Sequence, residues 1–141
     1  MEFWLDKKKW ITSAYNTFVC LIGCSIGDFG TILYFQFCTN IKSIIIIMPI
    51  AIINGILTSI LLETILLLRN MSFRDAIKMA TGMSIISMVS MELAMNFTDI
   101  MLEGSLILTV SSVIPVLIVG FIVPWPYNYW RLVKYNKSCC G

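Results

Sequence analysis

Long apolar runs dominate the chain, and short polar segments separate them. Four of these runs are long enough for a membrane-spanning helix, which needs roughly 20 mostly apolar residues. They cover about residues 11–37, 44–68, 76–101 and 105–123. Because the connections are short, neighbouring helices have to run antiparallel. The pattern therefore predicts a single all-α domain over residues 1–141, an integral membrane four-helix bundle that crosses the cell membrane several times.

The composition agrees with a bilayer as the solvent. Hydrophobic residues make up 58% of the 141-residue chain and charged residues only 13%, whereas about 25% of the residues of a soluble domain are charged. The formal net charge of +2 gives no reason to expect a nucleic-acid partner. The expected partners are the lipid bilayer and either other membrane subunits or further copies of the chain.

The basic residues are divided unevenly between the two ends of the predicted bundle. With four spans, both termini and the connection between spans two and three share one side. On that side lie Lys7, Lys8, Lys9, Arg69, Arg74, Lys78, Arg131, Lys134 and Lys137. The other side carries only Lys42. Because short loops rich in Lys and Arg stay in the cytoplasm, both termini are predicted to be cytoplasmic, including a basic, Cys-containing tail over residues 131–141.

Glycine and proline residues indicate how the helices pack and end. Gly23, Gly27 and Gly30 recur along the first span at a spacing that lets two helix backbones approach closely in lipid. We expect these three positions to pack against a neighbouring helix. Pro124 and Pro126 follow the fourth span, and they are predicted to end it because proline cannot continue a helix.

Acidic residues occur within the apolar runs, at Asp28, Glu63, Glu92 and Asp99. A charged side chain at the bilayer centre costs about 2.5–3.5 kcal/mol, so these residues are expected to face the bundle interior. At a rise of 1.5 Å per residue, Asp28 lies about 25 Å and Glu92 about 24 Å from the start of its span, so the two carboxyl groups are predicted to meet at one depth. Glu63, with Ser59 one turn earlier, fits either a hydrogen-bonded contact between helices or part of a proton or ion path.

Two cysteines precede Asp28 at a spacing of one helical turn each, Cys20 and Cys24. Thiolates suit Cu(I), and two of them one turn apart can hold a metal ion linearly. The alternative is that both positions are ordinary core, because free cysteine is among the most buried residue types. The chain has no histidine, so the commonest metal-binding side chain is absent.

The soft-metal hypothesis also includes two acidic residues of the bundle interior and the cysteine pair of the tail. Its candidate ligands are Cys20, Cys24, Asp28, Glu92, Cys139 and Cys140. The tail pair, Cys139 and Cys140, is predicted either to accept a soft metal ion in the cytosol or to be an idle, reduced pair. Copper is the only cofactor that this hypothesis indicates.

Three stretches of the chain carry a family resemblance, namely "CLIGCSIGD", "SFRDAIKMATGMSIISMVSMELAMNFTDI" and "PWPYNYWRLVKY". Together they resemble the membrane family catalogued as domain of unknown function 4396, from about Cys20 to Cys140. The steps shared with that family are Gly23-Cys24, Gly27-Asp28, Met91-Glu92 and Pro126-Tyr127-Asn128. The family pattern has a histidine where this chain has Val19 and another at the end of the tail, so a metal site carried over by analogy lacks its imidazole groups here. The resemblance implies the fold and the importance of these positions, and it implies no activity.

The sequence contains no phosphate-binding glycine loop, catalytic triad or metalloprotease helix, so we expect no enzymatic activity from the chain alone. The first functional hypothesis is an accessory or structural subunit of a larger membrane complex, with a copper-dependent membrane oxidoreductase as one host to test. The second is a soft-metal, copper-type transport or delivery protein. Proton-coupled transport is a third hypothesis, and it requires an oligomer because four spans hardly enclose a pathway.

Overall fold

The computed structural model describes residues 4–104 and 108–135, with residues 83, 84 and 135 described by their backbone alone. These residues form five α-helices and no strand. The helices are α1 (Lys7–Cys38), α2 (Ile44–Leu67), α3 (Phe73–Glu103), α4 (Val110–Ile122) and α5 (Trp125–Tyr135). Within the same residues, four segments are long and apolar enough to cross a membrane. The predicted all-helical membrane bundle is confirmed, and the cytoplasmic location of both termini stays a prediction.

Local sequence determines where several helices begin and end. Asp6 caps α1, where its carboxylate accepts a hydrogen bond from the backbone N–H of Lys8 at 3.1 Å. Gly104 ends α3 in the left-handed conformation, with φ at 72°, which glycine adopts without a steric penalty. Thr109 and Ser112 begin α4 with a reciprocal capping box. The connections between the helices are short, so α1 to α4 alternate in direction.

The fourth span differs from its predicted form. Helix α4 has 13 residues and is therefore about 20 Å long, which is shorter than the hydrocarbon core of about 30 Å. The chain turns at residues 123–124 and resumes as α5, so that the apolar segment extends over Val110–Lys134. Pro124 interrupts the helix as predicted, but Pro126 lies in the first turn of α5, where its missing N–H does no harm. The fourth span is thus a broken helix, and the start of the predicted tail belongs to it.

Helices α1 and α2 approach each other closely through glycine residues. A Cβ atom added at Gly23 would lie 2.5 Å from the Cα of Ser59, and one added at Gly27 would overlap the carbonyl oxygen of Asn54. The hydroxyl of Thr58 donates a hydrogen bond to the carbonyl oxygen of Gly23 at 2.6 Å. Small residues and interhelical hydrogen bonds of this kind hold helices together in lipid, where the hydrophobic effect between them is absent.

Buried apolar residues form three clusters along the bundle. The central cluster contains Cys20, Leu21, Cys24, Met88, Met91, Met95 and Val116. A second cluster contains Ile32, Ile47 and Ala51. A third contains Leu67, Ala76 and Ala80. The central cluster is rich in sulfur and joins α1, α3 and α4, so the chemistry-bearing side chains lie in the middle of the fold.

A buried polar column as the candidate functional site

A series of buried polar and sulfur-bearing side chains lies along the bundle interior, and we call it the polar column. It has three parts: a carboxyl cluster, a sulfur cluster and an α1–α5 cluster. The carboxyl cluster comprises Asp28, Glu92, Asn96 and Asp99. The sulfur cluster comprises Cys20, Cys24, Met88, Met91 and Met95. The α1–α5 cluster comprises Ser13, Thr17, Asn128 and Arg131, and every member of the column is at most 5% exposed.

The carboxyl cluster joins α1 to α3. The side-chain amide of Asn96 donates a hydrogen bond to Oδ1 of Asp28 at 3.1 Å and another to the backbone carbonyl of Glu92 at 2.9 Å. The carboxyl group of Asp28 also interacts electrostatically with those of Glu92 and Asp99. The structure therefore brings Asp28 and Glu92 together at one depth, as the helical rise predicts.

Helix α2 contributes the space in which the Glu92 side chain lies. A Cβ atom added at Gly55 would overlap Oε1 of Glu92, so the carboxyl group occupies room that any other residue would fill. Neither of its oxygens has hydrogen-bond geometry to a described residue, but the carboxyl group interacts with Asp28 and with the thiol of Cys24. Sequence reasoning missed Gly55. Its one signal is the Asn54–Gly55 step, which interrupts an otherwise apolar run.

The sulfur cluster lies beside the carboxyl cluster. The thiols of Cys20 and Cys24 interact with each other, and the hydroxyl of Ser59 on α2 donates to the Cys20 thiol at 3.4 Å and to its carbonyl oxygen at 3.3 Å. The thioethers of Met88, Met91 and Met95 on α3 share this buried cluster with the two thiols. Gly120 on α4 leaves room for Met95, because a Cβ atom there would lie 2.6 Å from its Cγ and 2.8 Å from its Sδ.

The α1–α5 cluster continues the polar column toward the start of α1. The side-chain amide of Asn128 donates a hydrogen bond to the hydroxyl of Thr17 at 2.8 Å, and that hydroxyl donates to the carbonyl of Ser13 at 2.7 Å. Arg131 follows one turn later, 5% exposed, and its Nε and Nη1 find no acceptor among the described residues. The sequence assigned Arg131 to the start of the basic tail, whereas the chain continues there as α5 and the side chain is buried.

The other residues singled out from the sequence lie apart from these clusters. Glu63 is fully buried on α2, two helical turns from Gly55 and thus about 12 Å along the axis from the carboxyl cluster. A Cβ atom added at Gly30 would meet no atom within 4 Å, so Gly30, unlike Gly23 and Gly27, makes no close helix contact. Cys139 and Cys140 lie outside the described residues.

Within the polar column, the ligand chemistry of the sulfur cluster is soft. In the described part of the chain, no three His, Cys, Asp or Glu side chains converge as metal ligands. The sulfur cluster instead offers two thiols and three thioethers in one buried group. Thiolates and thioethers select Cu(I) over hard cations such as Mg²⁺ or Ca²⁺.

Fold and site together define the class of the protein, a multi-pass helical membrane bundle with a polar interior. A family model described as "Domain of unknown function (DUF4396)" matches residues 9–137. The chain therefore belongs to this family, in agreement with its sequence resemblance. No curated protein and no solved structure matches the chain.

Proposed function

We propose that the protein binds a soft monovalent cation of the Cu(I) type inside the membrane and delivers it, with no enzymatic activity of its own. The observation that carries this proposal is the sulfur cluster. There, the thiols of Cys20 and Cys24 interact with each other, and three methionines lie in the same buried cluster. Two thiolates one helical turn apart supply a two-coordinate ligand set, and a neighbouring methionine supplies a third ligand of the kind that Cu(I) prefers.

The carboxyl cluster favours a positive charge at the same place. Asp28 and Glu92 are both buried, and the only buried basic side chain among the described residues is Arg131, which belongs to the α1–α5 cluster. Buried carboxyl groups without a basic partner need a proton or a bound cation, because a lone charge in a low-dielectric interior is very unfavourable. A cation held by Cys24 would lie next to Glu92, with which that thiol interacts.

The polar column also indicates where the ion would leave. The α1–α5 cluster extends the column from the sulfur cluster toward the end of the bundle from which the tail emerges. Cys139 and Cys140 follow α5 closely in the sequence. We assign them the role of acceptor, because adjacent thiols compete well for a soft ion that is released nearby.

Cu(I) binding to the purified chain, measured by competition with a chromogenic chelator under anaerobic conditions, tests this function. The background variant Cys38→Ser/Cys139→Ser/Cys140→Ser should bind one Cu(I) per chain, and adding Cys20→Ser or Cys24→Ser should abolish binding. Cys38 is the exposed cysteine of α1. Cys38→Ser alone is therefore the matched control, and it should leave Cu(I) binding by Cys20 and Cys24 unchanged. No binding in the background variant, or binding that survives the loss of both buried thiols, contradicts the proposal.

An accessory role in a larger membrane complex, such as a copper-dependent oxidoreductase, is the second candidate function. A groove of about 480 Å³ on the outer side of α1 and α2 favours it. Five of its lining residues are small or polar, and the other four are large and apolar or aromatic: Gly27, Gly30, Thr31, Asn54 and Thr58, with Tyr34, Phe35, Ile50 and Leu57. The small and polar part is typical of surfaces that receive another transmembrane helix. Extraction in a mild detergent followed by native electrophoresis separates the two functions. Comigration with other subunits at a fixed ratio supports the accessory role, and a species made of this chain alone supports delivery.

A further inference from the structure

A second groove opens where α4 ends and α5 begins. Its volume is about 650 Å³, and it is lined by Lys7, Trp10, Ile11, Ile122, Trp125 and Pro126. This volume is typical of sites for small organic ligands. The groove exists because the turn at residues 123–124 separates the two halves of the fourth span beside the start of α1.

The aromatic walls of this groove are held rigidly. The indole N–H of Trp125 donates to the hydroxyl of Ser13 at 3.1 Å, and its ring meets that of Trp10 edge to face at 5.4 Å. Trp10 in turn stacks on Tyr129 at 4.0 Å and donates its indole N–H to the carbonyl of Trp4 at 2.9 Å. Walls fixed in this way lose little conformational freedom when a ligand binds, which favours binding.

The groove combines an apolar part that faces the lipid with a positive charge at one edge. Ile11 and Ile122 are 71% and 55% exposed, so the apolar part opens toward the acyl chains. Lys7 borders the groove in the first turn of α1. The ion pair found among the described residues joins Lys9 to Asp6 at 3.8 Å, so within those residues Lys7 has no carboxylate partner. Because tryptophan side chains favour the headgroup level, the ammonium group lies where lipid phosphates are found.

We propose that this groove binds one anionic glycerophospholipid, with an acyl chain along the tryptophan walls and the phosphate at Lys7. Charge complementarity selects this occupant: Lys7 has no carboxylate partner among the described residues and begins a run of three lysines, and juxtamembrane basic residues attract anionic lipids. A partner helix is a poorer fit, because helix contacts in lipid favour small residues and this groove presents tryptophan and isoleucine. The bound lipid packs against the break between α4 and α5.

Quenching of tryptophan fluorescence by brominated lipids tests this site. The full-length chain is reconstituted into phosphatidylcholine vesicles in which a small, fixed fraction of either phosphatidylglycerol or phosphatidylcholine carries brominated acyl chains. Since Trp10 and Trp125 form the walls, brominated phosphatidylglycerol should quench with about fivefold higher apparent affinity, the effect expected of one lysine near a charged surface. Lys7→Gln should abolish this preference, whereas Lys8→Gln, one residue away and outside the groove lining, should preserve it.

A second variant keeps the charge and removes the space. Ile122→Phe fills the apolar part of the groove without adding a tryptophan, and it should also abolish the preference. Equal quenching of the unaltered chain by the two lipids overturns the proposal. The proposal is also overturned if Lys7→Gln and Lys8→Gln lose the preference for phosphatidylglycerol equally. The preference would then come from the general charge of the surface. If the two lipids quench equally and residues that line the groove can be chemically crosslinked between two copies of the chain, the occupant is a second chain and the lipid is rejected.

Discussion

Replacing Gly27 with alanine tests the close approach of α1 and α2. The added Cβ atom would overlap the carbonyl oxygen of Asn54 and the hydroxyl of Thr58. The carbonyl belongs to the backbone of α2 and cannot rotate away, so the helices have to separate. Overpacking of this kind costs about 1–3 kcal/mol, and alanine regains up to about 1 kcal/mol over glycine inside a helix. Because the overlap is with backbone, the cost falls in the upper part of this range, about 2–3 kcal/mol, and we expect Gly27→Ala to lower the free energy of unfolding by about 1–2 kcal/mol.

The matched control is Gly30→Ala on the same face of α1. A Cβ atom there meets nothing within 4 Å, so the free energy of unfolding should stay unchanged or rise by up to about 1 kcal/mol from helix propensity. Reversible unfolding in mixed detergent and sodium dodecyl sulfate micelles, followed by circular dichroism, measures both values. If Gly27→Ala proves as stable as the unaltered chain, or if both substitutions have the same effect, the close packing described above is refuted.

Three further substitutions address the polar column. Asn96→Ala removes an interhelical hydrogen bond and should lower the free energy of unfolding by about 0.6–1.7 kcal/mol in the same assay; no change would mean that the bond contributes nothing. Gly55→Ala should displace the carboxyl group of Glu92 and weaken Cu(I) binding by about tenfold, whereas Gly82→Ala, whose added Cβ atom meets nothing, should leave chelator competition unchanged. Arg131→Met should raise the free energy of unfolding by about 1 kcal/mol or more, because apolar groups often replace a poorly satisfied buried charge with a gain in stability; a lower value would reveal an essential partner of the guanidinium group.

Much of the helical architecture can be read from the sequence because its causes are local. Each of α1 to α3 coincides with an apolar run. Local residues determine single helix ends, such as Asp6 at the start of α1 and Gly104 at the end of α3. The meeting of Asp28 and Glu92 is also predictable, because a regular helix rises by a fixed 1.5 Å per residue and both spans start from the same side. The depth of the two carboxyl groups can therefore be predicted without knowing how the helices pack.

Other features depend on tertiary contacts that the spacing does not specify. Pro124 and Pro126 indicate the end of a span, and only the packing of α5 on α1, through pairs such as Asn128 and Thr17, shows that the chain continues as a helix. The burial of Arg131 follows from that same continuation.

The glycine pattern of α1 shows the same limit. Its spacing treats Gly23 and Gly30 alike, but a groove, rather than a close contact with α2, lies at Gly30. The role of Gly55 is likewise invisible until Glu92 of α3 is seen against it. In each case the deciding quantity is the distance between two helices, which the pattern along a single helix does not contain.

The claim that Cys20 and Cys24 form one soft-metal site inside the bundle is tested most directly by X-ray absorption at the copper edge. The sample is the Cu(I)-loaded chain in which Cys38, Cys139 and Cys140 are replaced by serine. We expect the nearest neighbours of copper to be two or three sulfur atoms, and we expect this signal to disappear in Cys20→Ser/Cys24→Ser. A spectrum with oxygen or nitrogen neighbours alone, or a sulfur signal that persists without the two buried thiols, would contradict it.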